Sequence, residues 1–98
     1  MINTVIIAKR ALKRLRKVPS HVVRKLAGWV FSVEETGIEE VRKIPGYHDE
    51  PLTGARKGQR SIRLTISYRA IYQISRDDKM KIEAIEFILV KEIVKHKY

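Results

Sequence analysis

Ala8, Ala11, Leu12, Leu15 and Val18 recur at helical spacing with Lys and Arg on the opposite side. The pattern predicts a basic amphipathic helix after a short β-prone run, Asn3–Ile7. Pro19-Ser20 breaks the periodicity and supplies the start of a second helix. Its apolar stripe is Val22, Leu26, Trp29, Val30 and Val33, and Gly37 ends it. Gly28, beside Trp29, is expected to let the two helices approach closely. Ile38–Lys43 leaves room for one or two further turns before Pro45-Gly46.

The period then changes from helical to two. Ile62, Leu64 and Ile66 alternate with Arg63 and Thr65, as in a half-buried strand. Tyr68–Ser75 reads as a second strand and Arg76-Asp77-Asp78-Lys79 as a hairpin turn. Lys81–Val94 is apolar on both faces in its middle (Ile85, Phe87, Leu89 and Ile88, Val90), as expected of a central strand. The order β-α-α-β-β-β predicts an α+β domain, with an N-terminal strand and a helical hairpin packed on a curved antiparallel β-sheet. No internal repeat or low-complexity segment interrupts it.

Composition narrows the function classes. A chain of 98 residues, 44% of them hydrophobic, is expected to form one domain, 1–98, with a small core. The absence of cysteine excludes disulfides, thiolate metal sites and cysteine nucleophiles. No apolar run approaches the roughly 18 residues of a membrane span. Met1–Ile7 is followed by charge rather than a cleavage site, so a cytoplasmic protein is expected.

Charge changes the picture more. Lys and Arg number 21 against 11 Asp and Glu, a formal excess of +10. Lys9–Lys25 holds eight basic residues and no acid, and Gly54–Arg69 holds five more (Arg56, Lys57, Arg60, Arg63, Arg69). Between them lies an acid-rich stretch, Glu34–Glu50. Two acid-free runs in so small a domain point to a polyanionic partner, nucleic acid first.

Motifs for cofactors and metals are missing. Gly54-Ala-Arg-Lys-Gly58 lacks the G-K-[ST] ending of a phosphate loop. His21, His48 and His96 are too scattered for a metal motif, so chemistry without metal or cofactor is expected. Unusual polar content remains in Gly46–Leu52, in Arg56–Tyr72 and in the terminal Lys95-His-Lys-Tyr98.

In these stretches Pro45-Gly46, Glu50-Pro-Leu-x-Gly54, Gly58, Ser61-Ile-Arg63, Tyr68-Arg-x-Ile-Tyr72 and His96-Lys-Tyr98 follow one another in an order that resembles the RelE/ParE toxin superfamily. The pattern is most similar to the HigB and YoeB type mRNA interferases. The resemblance implies a small RelE-like fold and the toxin of a type II toxin–antitoxin pair. It implies metal-independent cleavage of translated mRNA in the ribosomal A site, by attack of a ribose 2′-OH on the adjacent phosphate. Glu50 then corresponds to the general base, Arg69 to the cation on the phosphoryl transition state, His96 to the acid and Tyr98 to its support. Arg63 corresponds to a further phosphate-binding position, with Arg56, Lys57 and Arg60 as RNA contacts. His48, beside Asp49-Glu50, offers a second imidazole for the acid. The partners implied are a cognate antitoxin, the ribosome and mRNA, with no membrane. A ParE-like gyrase inhibitor would share the fold, and the basic runs alone would serve a non-catalytic nucleic-acid-binding module.

Overall fold

The structure, a computed structural model, describes residues 1–88. The chain runs β1 (Thr4–Ile7), α1 (Lys9–Leu15), α2 (Ser20–Thr36), α3 (Ile38–Val41), a 3-10 turn (Pro45–Tyr47), β2 (Glu50–Pro51), a second 3-10 turn (Gly54–Arg56), β3 (Arg60–Arg63), β4 (Tyr68–Ile74) and β5 (Lys79–Phe87). The fold class is the expected α+β. Five strands form one sheet in the order β1-β5-β4-β3-β2.

The sheet is mixed rather than antiparallel. β1 pairs in parallel with β5, from Thr4↔Lys79 to Ile7↔Ile82, while the other neighbours are antiparallel. Parallel strands need a crossover that spans the sheet, and the helices after β1 begin it. The same crossover lays the helices over one face.

Burial explains which residues form the helices. Val22, Leu26, Trp29 and Val33 of α2 are buried, with Ala11 of α1 and Ile38 and Val41 of α3. They pack against Ile62, Ala70, Tyr72, Met80, Ile82 and Ile85 from the sheet. Trp29 and Tyr72 meet at the centre, their ring centroids 5.4 Å apart. Lys13 and Arg14 occupy the last turn of α1, where the helix dipole favours cations. Gly28 is exposed with nothing within 4 Å of a Cβ built there, so it is not a helix-contact glycine. Gly37 is different. Its φ is +86°, and an added Cβ would lie 2.5 Å from Met1 Cγ.

Two strand expectations change. β3 stops at Arg63 because the Thr65 hydroxyl accepts from the backbone N–H groups of Ser67 and Tyr68, each at 3.2 Å, closing a bend that leaves Ile66 exposed. In β5 the described strand ends at Phe87, which is exposed. Leu89, Val90 and the rest of the expected strand to Val94 lie outside the described residues. A register shift between Ile71 and Tyr72 pairs Ile71 with Ala84 but Tyr72 with Ile82. That bulge brings Ile82 and Ile85, an odd number of residues apart, onto the same buried side. Among the described residues no helix is long and apolar enough to cross a membrane.

Candidate active site

Cross-strand register assembles the site. Glu50 lies opposite Ser61, Arg63 opposite Arg69, and Arg69 opposite Glu86. Directly opposed residues share a face, as do residues two apart on a strand. Glu50, Ser61, Arg63, Arg69 and Glu86 therefore stand on the face away from the helices. There a cavity of about 150 Å³ is lined by His48, Glu50, Ser61, Arg63, Arg69 and Ile88.

His48 reaches this cavity through a strained backbone. It follows the Pro45–Tyr47 turn in the left-handed region, φ +47°, and its N–H donates to the Pro45 carbonyl. The Tyr47 ring lies under the ammonium of Lys25, 5.2 Å from its centroid, which ties the turn to α2. Burial raises the Tyr47 phenol above its ordinary pKa.

Asp49, the next residue, faces the helices. Its carboxylate accepts from Arg60 Nε at 2.6 Å and from the Tyr72 hydroxyl at 2.5 Å, and its side chain is only 1% exposed. Burial opposes the charge on Arg60, but the hydrogen bond and charge of Asp49 outweigh it, leaving the guanidinium above its ordinary pKa. Burial, then Asp49, pushes the Tyr72 phenol well above its own. Arg60, expected among the RNA contacts, is thus held on the helix-facing side and does not line the cavity.

Arg56 is also engaged. One oxygen of Glu86 accepts from Arg56 Nη2, and the other accepts from Arg69 Nη2 at 3.0 Å and Nε at 3.2 Å. Lys57 is exposed outside the cavity, and Arg63 has no ion pair among the described residues. His96 and Tyr98 lie outside the described residues.

The structure thus gathers Glu50, Arg63, Arg69 and His48, and separates Arg60 from them. Sequence reasoning missed Ser61, Glu86 and the inward role of Asp49. The alternation of Asp49 with Glu50 carried a signal for the last, whereas Glu86 acquires meaning only through its register. Chemically, the cavity holds a carboxylate, an imidazole and two guanidinium groups, a set suited to moving a proton beside a phosphate. Among the described residues no three His, Asp or Glu side chains gather as a metal site.

A five-stranded mixed sheet covered by these helices is the fold of the RelE/ParE toxin superfamily. The particular proteins it is similar to include RelE and YoeB toxins solved with their antitoxins. The RelE–RelB complex of Pyrococcus horikoshii matches at 25% identity and TM-score 0.68, over 89% of this chain and 96% of that one. The RelBE2 toxin–antitoxin complex of Mycobacterium tuberculosis matches at 19% and 0.66, over 90% and 100%. The YoeB–YefM complex of Staphylococcus aureus matches at 19% and 0.65, over 88% and 97%. No family model and no curated protein matches the sequence.

Proposed function

We propose that the chain is the toxin of a type II toxin–antitoxin pair and a ribosome-dependent endoribonuclease acting on mRNA. The observation that carries this reading is the convergence of Glu50, Arg63, Arg69 and His48 on one cavity. Glu50 takes the proton of the ribose 2′-OH as its oxygen attacks the adjacent phosphorus. Arg69 and Arg63 stabilise the charge that develops on the phosphoryl oxygens. The P–O5′ bond breaks, an imidazolium protonates the departing oxygen, and a 2′,3′-cyclic phosphate and a 5′-hydroxyl result. His96, with Tyr98 supporting it, or His48 supplies that proton. Every group in this scheme comes from the chain itself.

The similar toxins are described as complexes with antitoxins, which supports an antitoxin as a partner of this chain. An apolar groove of about 270 Å³ on the helical side, lined by Ile7, Leu15, Val23, Leu26, Val30 and Phe31, fits the apolar stripe of an amphipathic segment. Arg10, Lys13 and Arg14 on α1 and Lys17 just after it favour an acidic one.

Mapping of mRNA 5′ ends after brief induction tests the enzymatic reading. Cuts confined to translated frames are expected. Intact transcripts would overturn it, and DNA damage signalling in their place would favour a gyrase inhibitor.

A further inference from the structure

Arg63, Arg69 and Glu86 form one row across β3, β4 and β5, each directly opposite the next. Two guanidinium groups directly opposed on adjacent strands repel, so Arg69 in the middle of the row has a reason to lean away from Arg63. Glu86 gives it somewhere to lean. Its Oε1 takes both Nε and Nη2 of Arg69, while Oε2 takes Nη2 of Arg56 from the Gly54–Arg56 turn. Nε and Nη2 define one edge of the guanidinium plane, which fixes the orientation of the fork. Among the described residues the other nitrogen, Nη1, makes no hydrogen bond and can meet a phosphate. The Glu86 side chain is 28% exposed, more sheltered than an ordinary surface partner.

We propose that Glu86 is the positioning residue of the site, holding Arg69 in register with the scissile phosphate and strapping the Gly54–Arg56 turn through Arg56. The proposal rests on the endoribonuclease reading for its kinetic consequence. It makes a prediction that simple electrostatics reverses. Removing a carboxylate beside Arg56, Arg63 and Arg69 raises the local positive charge, so a carboxylate that merely masks Arg69 would, once lost, leave tighter binding and faster cleavage. A positioning carboxylate leaves binding intact and slows the chemical step.

The test compares wild type, Glu86→Ala and Glu86→Gln in cleavage of mRNA on programmed ribosomes. It also follows the Arg69 side-chain Nε–H by nitrogen-15 NMR, with and without inorganic phosphate, and thermal unfolding reports folding. Glu86→Ala is expected to lower kcat at least tenfold with KM unchanged or smaller. It should also abolish the slow solvent exchange of the Arg69 Nε–H. Glu86→Gln, which keeps one acceptor oxygen, should recover part of both. An unchanged or raised kcat, a loss carried by KM, or an Arg69 Nε–H that exchanges fast in the wild type overturns the proposal. If the wild type cleaves nothing, the endoribonuclease reading fails. The clamp then stands or falls on NMR alone: protection lost in Glu86→Ala upholds it, and protection unaffected sinks it.

Discussion

Asp49 and Glu50 are adjacent in sequence and serve opposite sides of the sheet: Asp49 is sealed against Arg60 and Tyr72, and Glu50 opens on the cavity. Strand alternation is enough to divide them. Asp49→Ala leaves the Tyr72 hydroxyl and the Arg60 guanidinium without their buried acceptor, and is expected to cost about 2–4 kcal/mol. Arg60→Ala should cost a similar amount, because the Asp49 carboxylate, 1% exposed, keeps the Tyr72 hydroxyl but loses its counter-charge. Both losses belong in chemical denaturation. RNA affinity should fall far less for Arg60→Ala than for Arg63→Ala, since only Arg63 lines the cavity.

Tyr72 also sets an alkaline limit. Burial and Asp49 raise its pKa in the folded state, so the folded protein holds this proton more tightly than the unfolded chain does. Its contribution to stability is therefore full below about pH 10, the ordinary tyrosine value, and declines as pH rises beyond it. The expected slope from this one group is about 1.4 kcal/mol per pH unit. Tyrosinate absorbance should show the Tyr72 step coinciding with loss of the Trp29 fluorescence signature of the folded state. Tyr72→Phe should flatten the decline. A Tyr72 step completed while the protein remains folded would contradict the argument.

Much of this architecture was legible in the sequence wherever one local rule decided it. The stripe Val22, Leu26, Trp29, Val33 and the stop at Gly37 needed only helical periodicity and the conformational freedom of glycine. The β4–turn–β5 hairpin followed from alternation and the polar Arg76–Asp78 turn. The parallel docking of β1 on β5 was not legible, because a short strand far away in sequence is placed by how the helical crossover packs. The bend after Arg63 depended on a single hydroxyl, that of Thr65. At the site, Glu50 and Arg69 came from a motif pattern. The pairing of Arg60 with Asp49 was not legible, because a run of cations says nothing about which side of the sheet each one faces, and a buried partner is invisible until the register is known. Glu86 carried no signal of its own.

Gly37 offers a test of the helix junction. It lies in the left-handed region between α2 and α3, its N–H bonded to the Val33 carbonyl, and Met1 packs where a side chain would go. Gly37→Ala combines backbone strain with that clash and should destabilise by about 1–3 kcal/mol. Thermal unfolding reads it directly. Gly28→Ala, at an exposed helical position with open space, should instead stabilise by up to about 1 kcal/mol.

Phe31 is 63% exposed at the rim of the apolar groove. Burying it beneath an antitoxin segment is worth about 1.5–3 kcal/mol. Phe31→Glu removes that gain and adds a repelling carboxylate toward an acidic partner. Antitoxin affinity should fall at least tenfold by calorimetry, while cleavage by the free toxin stays unchanged. A loss of cleavage with unchanged antitoxin affinity would put the groove to another use.

The acid–base assignments separate by substitution at the cavity. Glu50 is exposed at the sheet edge, so Glu50→Gln should leave thermal stability almost untouched and reduce cleavage by about 10²–10⁴-fold, the usual range for a positioned base. Arg69→Lys keeps the charge but loses the flat edge by which Glu86 grips it, and should also lose most activity. If cleavage requires only a cationic cavity, both variants will remain near wild type. His48→Gln and His96→Gln then divide the role of the acid. Whichever abolishes cleavage of a normal RNA, yet leaves cleavage of an RNA whose 5′-leaving oxygen is replaced by sulfur, is the proton donor. A thiolate departs without a proton, so only the substitution that removes the acid is rescued by that replacement.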